Sequence, residues 1–204
     1  MLNRTLALIL SFSSPPAFAG EFNQKSELVQ TCGACHGVDG NTLLPIAPNL
    51  AGQEPGYLLY ELNAYKTHNR MDDFMGTFVD PLTDEDISRL VEYYKKQKFI
   101  PMASTELPDP VLLAQGALLY KKEIKKVGLS CADCHGENAE GVESRILLKD
   151  FPRLAGQPYD YLFANLKQYA QRMKHFSMLG MKVAAASLSD DEIKALATYL
   201  SNLK

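Results

Sequence analysis

Two short stretches hold all the cysteine in this 204-residue chain: Cys32-Gly33-Ala34-Cys35-His36-Gly37 and Cys131-Ala132-Asp133-Cys134-His135-Gly136. Thiols three positions apart lie on one helical turn, spaced to form thioethers with the two vinyl groups of one porphyrin. The histidine that follows projects an imidazole nitrogen towards the iron. This is the attachment pattern of haem c, and it predicts two covalent haems held by Cys32, Cys35, Cys131 and Cys134, with His36 and His135 as iron ligands. Gly37 and Gly136 stand where the backbone has to turn away from the ring. Competing uses of paired cysteines fit less well. A thioredoxin-like redox pair needs a βαβ setting, and no strand pattern surrounds either copy. A four-cysteine zinc site brings its pairs within about 20 residues, whereas these are 99 apart.

Iron held by one histidine has a second face to fill. A thioether there raises the reduction potential, a second imidazole lowers it, and an open position invites small ligands. Candidates are Met71, Met75 and His68 in the first half, and Met173, Met178, Met181 and His175 in the second. Met75 lies seven residues before Leu82, and Met181 seven before Leu188, each leucine opening a matching Leu-(Thr/Ser)-Asp segment. No other pair keeps that register, so Met75 and Met181 are the expected sixth ligands, on irregular glycine-containing segments. Bis-histidine ligation by His68 and His175 is the alternative. The outward ring nitrogen of each ligand histidine needs an acceptor, often a backbone carbonyl. Pro48 and Pro152 occupy matched positions from which one could come, or they only open a turn. Gln53, Gln157, Tyr57 and Tyr161 also match, as contacts to haem propionates or as packing.

These residues sit on a duplicated helical framework. Pro48–Lys66 returns as Pro152–Ala170, and Asp80–Tyr94 as Ala186–Leu200, which marks two homologous units. Tyr57, Leu58, Leu62 and Tyr65 share one face at helical spacing, as do Tyr161, Leu162, Leu166 and Tyr169. Thr83 with Asp86, and Ser189 with Glu192, read as capping boxes opening the last helix of each unit. Pro110 after Asp109 opens another helix. The expected division is a signal peptide over 1–19, a first domain over 20–98, a linker over 99–109 and a second domain over 110–204. Residues 1–19 carry Arg4, a short apolar run and the small-x-small end Ala17-Phe18-Ala19, as an export signal does. That run is too short to span a bilayer, so no transmembrane segment is expected in the mature chain.

Charge is uneven: Gly20–Ala103 has 7 basic and 12 acidic residues, net −5, and Ser104–Lys204 has 13 and 12, net +1. No concentrated basic surface speaks for nucleic acid. Lys121, Lys122, Lys125 and Lys126 form a local run, either a docking patch or a solvated face.

With both haem motifs, the Leu-Ala-Gly-Gln repeats at 50–53 and 154–157 and the Met-x6-Leu-(Ser/Thr)-Asp pattern in view, the chain resembles the dihaem cytochrome c4 family across Gly20–Lys204. Phe78 departs from the family pattern, where a second methionine can stand. The resemblance implies an all-α fold of two tandem class I cytochrome c domains about a pseudo-twofold axis. It also implies one covalent haem c in each, His/Met iron, and propionates facing each other across the interface. The implied function is periplasmic outer-sphere electron transfer between redox proteins, towards a terminal oxidase, without enzymatic chemistry. Peripheral membrane association is compatible with that role. The alternatives are the cytochrome subunit of a dehydrogenase complex and a dihaem redox enzyme, which would need an open or unusually ligated iron.

Overall fold

The computed structural model describes residues 22–24, 26–102, 107–143, 150–171 and 179–204, with Asp73 through its backbone alone. The expected signal peptide lies outside these residues, as do Met173, His175, Met178 and part of the expected linker. Helices dominate: α1 (Glu27–His36), α2 (Pro55–Lys66), α3 (Asp73–Val79), α4 (Asp84–Lys95), α5 (Pro110–Lys121), α6 (Cys131–His135), α7 (Tyr159–Ala170), α8 (Leu179–Ala185) and α9 (Asp190–Asn202). Among the described residues extended pairing is confined to two isolated bridges, Ile124 with Leu129 and Val142 with Phe151.

The helix starts follow from local chemistry. The Thr83 hydroxyl accepts from the Asp86 amide at 3.1 Å while the Asp86 carboxylate accepts from the Thr83 amide at 3.0 Å. Ser189 and Glu192 repeat this box at 3.2 and 2.8 Å. The Asp109 carboxylate caps α5 by accepting from Val111 N–H at 2.8 Å, with Pro110 in the first turn, where its missing N–H costs nothing.

The last helices carry the cores. Ile87, Leu90, Val91 and Tyr94 recur at helical spacing on α4 and pack with Val29 of α1 and Leu58 and Tyr65 of α2. Leu196, Ala197 and Leu200 of α9 pack with Tyr120 of α5 and Leu162 of α7 in a second, separate cluster. Fully buried anchors such as Ile87 and Leu196 contribute about 1.5–3 kcal/mol each relative to exposure.

Two elements depart from the expected pattern. Met75 and Met181 were expected on irregular segments, but they lie on the short helices α3 and α8. The Asp72 carboxylate accepts from Met75 N–H at 3.0 Å, enough to start one turn of α3; Gly76 lies within α3 and Gly180 within α8. The cysteine segments also differ between units. The first continues α1 without a break, whereas the second restarts as the five-residue α6. There Ser130 and Asp133 form a third capping box after the turn closed by Ile124 N–H on Leu129 O.

Candidate haem sites

Cys32, Cys35 and His36 occupy the last turns of α1, and Cys131, Cys134 and His135 make up most of α6. No disulfide joins the cysteines. As free thiols, Cys32 and Cys131 are pushed up by burial, Cys131 to about 11. A thiolate metal site would need the opposite. Among the described residues no three His, Cys, Asp or Glu side chains gather as metal ligands.

Both histidines are buried, at 7% and 5% exposure. His36 Nδ1 lies 2.9 Å from the Pro48 carbonyl, and His135 Nδ1 lies 3.0 Å from that of Pro152. A carbonyl only accepts, so each Nδ1 carries the proton and each Nε2 presents a lone pair. Burial lowers both imidazole pKa values, and the carbonyl only partly restores them. The result is a neutral, orientation-locked imidazole, the donor that haem iron takes on its proximal face. After each histidine the chain turns through Gly37 (φ +78°) and Gly136 (φ +89°). A Cβ at Gly37 would meet the Asn41 carbonyl.

The two proline carbonyls are held by equivalent loops. The Gly40 carbonyl accepts from Leu50 and Ala51 N–H at 2.8 and 3.1 Å, and Gly52 N–H reaches Tyr94 O of α4 at 3.0 Å. In the second unit the Ala139 carbonyl accepts from Leu154 and Ala155, and Gly156 N–H reaches Leu200 O of α9. Each Pro-x-Leu-Ala-Gly-Gln stretch is thus pinned between the haem-motif turn and the last helix.

Met75 lies on α3, half-buried, and packs against the first core together with Cys32. Met181 lies half-buried on α8. Met71 is 55% exposed and His68 sits exposed in a left-handed turn at φ 55°. His175 lies outside the described residues.

Sequence reasoning missed where the matched polar residues go. Gln157 accepts from Asn49 N–H at 2.9 Å and donates to Asn49 O at 3.0 Å. Gln53 accepts from Arg153 N–H at 2.7 Å and donates to Arg153 O at 3.1 Å. Each glutamine therefore grips the backbone of the other unit, and the two grips are related by the repeat. Tyr161 N–H donates to Pro45 O, and Gly56 N–H to the Asp150 carboxylate, both across the same seam. Beside it Arg70 and Glu61 form an ion pair, both side chains 6% exposed, with the guanidinium over the Tyr65 ring at 4.4 Å. Burial works against the Arg70 charge, but Glu61 beside it holds the guanidinium pKa well above its ordinary value. Tyr57, Tyr65 and Tyr169 are pushed up by burial, and Glu61 adds to the rise.

The family described as Cytochrome c matches residues 26–98 and 113–204. Cytochrome c4 of Thiocapsa roseopersicina is 38% identical over 174 residues, covering 84% of this chain and 86% of that protein. The crystal structure of reduced recombinant cytochrome c4 from Pseudomonas stutzeri matches with a TM-score of 0.73 at 32% identity. It covers 86% of this chain and 95% of that one. A protein described as a thiosulfate dehydrogenase electron acceptor, from Stutzerimonas stutzeri strain A1501, is 29% identical, covering 84% of this chain and 78% of its own length. Two helical cores, each with its own Cys-x-x-Cys-His helix and neutral buried imidazole, agree with these likenesses: the chain is an electron-transfer protein with two covalent haem c groups, and it belongs to the cytochrome c4 family.

Proposed function

We propose that the protein carries electrons between respiratory partners in the periplasm, towards a terminal oxidase, through two His/Met haem sites. The observation that carries this reading is the pair of buried imidazoles, each with Nδ1–H committed to a proline carbonyl and Nε2 left as a donor. Cys32 and Cys35 would hold one haem by thioethers, and Cys131 and Cys134 the other; His36 with Met75, and His135 with Met181, would supply the donors to iron. The units run over 20–98 and 110–204, joined by 99–109. When bound, the haem supplies a one-electron ferric–ferrous couple. The chain's own part is to fix the imidazole tautomer, keep water away and hold the ligands still, so that little reorganises as charge changes. No proton acceptor is required beside either imidazole, because each Nδ1–H keeps its carbonyl in both oxidation states.

The export reading rests on the 1–19 segment. No helix among the described residues is long and apolar enough to cross a membrane. A second reading, an electron-accepting subunit of a dehydrogenase, is favoured by the 29% relative described as a thiosulfate dehydrogenase electron acceptor.

Met75→His and Met181→His, each made singly, test the assignment. Imidazole in place of thioether lowers the reduction potential. Each variant is expected to lower one of the two potentials and leave the other in place. A variant that moves neither potential removes that methionine from the ligand set.

A further inference from the structure

The hydrogen bonds of the seam and those of the ligand histidines meet in the same two peptide groups. The peptide between Pro48 and Asn49 accepts from His36 Nδ1 through its C=O and donates to Gln157 Oε1 through its N–H. The peptide between Pro152 and Arg153 accepts from His135 Nδ1 and donates to Gln53 Oε1. The four bonds measure 2.9, 2.9, 3.0 and 2.7 Å. Both glutamines are buried, at 5% exposure for Gln53 and 2% for Gln157, so water cannot substitute for them. Their orientation is fixed chemically, because each pairs one oxygen with an N–H and one nitrogen with a C=O.

From this juxtaposition we infer that the two haem sites are cross-wired: Gln157 tunes the His36 site and Gln53 tunes the His135 site. This rests on the reading of His36 and His135 as iron ligands. Hydrogen bonds in a chain polarise one another. An acceptor on the peptide N–H makes the carbonyl of that peptide a stronger acceptor. The carbonyl then draws more on the imidazole Nδ1–H, and the imidazole becomes a more electron-rich ligand. An electron-rich ligand favours ferric over ferrous iron. Each glutamine therefore lowers the potential of the site in the opposite unit, and each residue is a positioning residue for a ligand it does not touch.

Gln157→Met and Gln53→Met keep the side-chain length and abolish both hydrogen bonds across the seam; Gln53→Met also removes the Gln53 acceptor for Glu54 N–H. Potentials are read for each site separately, by NMR-monitored redox titration of the full holoprotein. Haem signals are assigned to their unit through contacts with the thioether protons of Cys32 and Cys35, or Cys131 and Cys134. The expected result is crossed. Gln157→Met raises the affinity of the first site for its electron about threefold, ~28 mV at 59 mV per tenfold, and leaves the second in place. Gln53→Met does the reverse. A shift confined to the variant's own unit, equal shifts in both, or no shift overturns the inference. If the methionine variants do not fold, Gln157→Glu retains an acceptor for Asn49 N–H with greater negative charge. It should lower the first site more than the second, and any other order counts against cross-wiring. Failure of the underlying reading shows separately, as missing hyperfine-shifted imidazole protons from His36 or His135 in the unmodified protein.

Discussion

At the scale of single residues, the ion pair of Glu61 and Arg70 has no equivalent among the described residues of the second unit. The repeat places Asn165 opposite Glu61. Both members of the pair are 6% exposed, so each charge relies on the other and on the surrounding tyrosines for solvation. A buried pair contributes little against an apolar replacement, because desolvation offsets the attraction, yet breaking one half is costly. Arg70→Met, which strands a carboxylate among Tyr57, Tyr65 and Tyr169, is expected to cost about 3–5 kcal/mol. The double variant Glu61→Gln, Arg70→Met should recover most of that loss. Chemical denaturation of the two holoproteins measures the difference, and equal loss in both would mean the pair does not act as a unit.

Helix ends decide much at the scale of elements. Thr83, Ser130 and Ser189 each hold a capping box with an acidic residue three positions on. The hydrogen bonds from Thr83, side chain then backbone, hold the Asp86 carboxyl below its usual range. A carboxylate lowered in the folded state adds stability above its unfolded pKa, and that stability fades as pH falls through the folded value. Thr83→Ala should cost about 1 kcal/mol at neutral pH, with the deficit shrinking in strong acid, which thermal unfolding across pH would follow. A deficit that stays constant with pH would place the cost in the hydroxyl alone. The boxes of α4 and α9 were legible because a polar cap precedes an amphipathic run. The helices α3 and α8 were not, since seven residues with an internal glycine carry no periodic signal, and α3 starts on one bond from Asp72. The Ser130 box was hidden for a different reason: its counterpart, Thr31, lies inside α1 and caps nothing.

For the whole molecule, the repeat made the paired buried histidines, the proline carbonyls and both cores readable, because each lies within one unit and the second copy checks the first. It could not show the seam. Alignment pairs Gln53 with Gln157, whereas in space each faces the residue after the other unit's proline, and an internal repeat has no notation for crossing over. The seam also carries charge. Burial, then the carboxylates of Asp150 and Glu143, raise the Glu54 pKa above its usual value, with Arg153 opposing them. An acid raised in the folded state contributes stability that is complete below its unfolded pKa and lost as pH rises through the folded value. Contact between the units should therefore tighten as pH falls from neutral towards the ordinary carboxylate range. The amides of Gly56 and Arg153 report on this directly, because both donate across the seam, to Asp150 and Gln53. Their hydrogen-exchange protection, taken relative to Ile87 within the first core, should grow over that interval. Glu54→Gln, which keeps the shape and removes the charge, should hold the ratio flat and near the acid value. A ratio that still rises in the Glu54→Gln protein would assign the pH response to another group, and one that falls in the unmodified protein would reverse the sign argued from the three carboxylates.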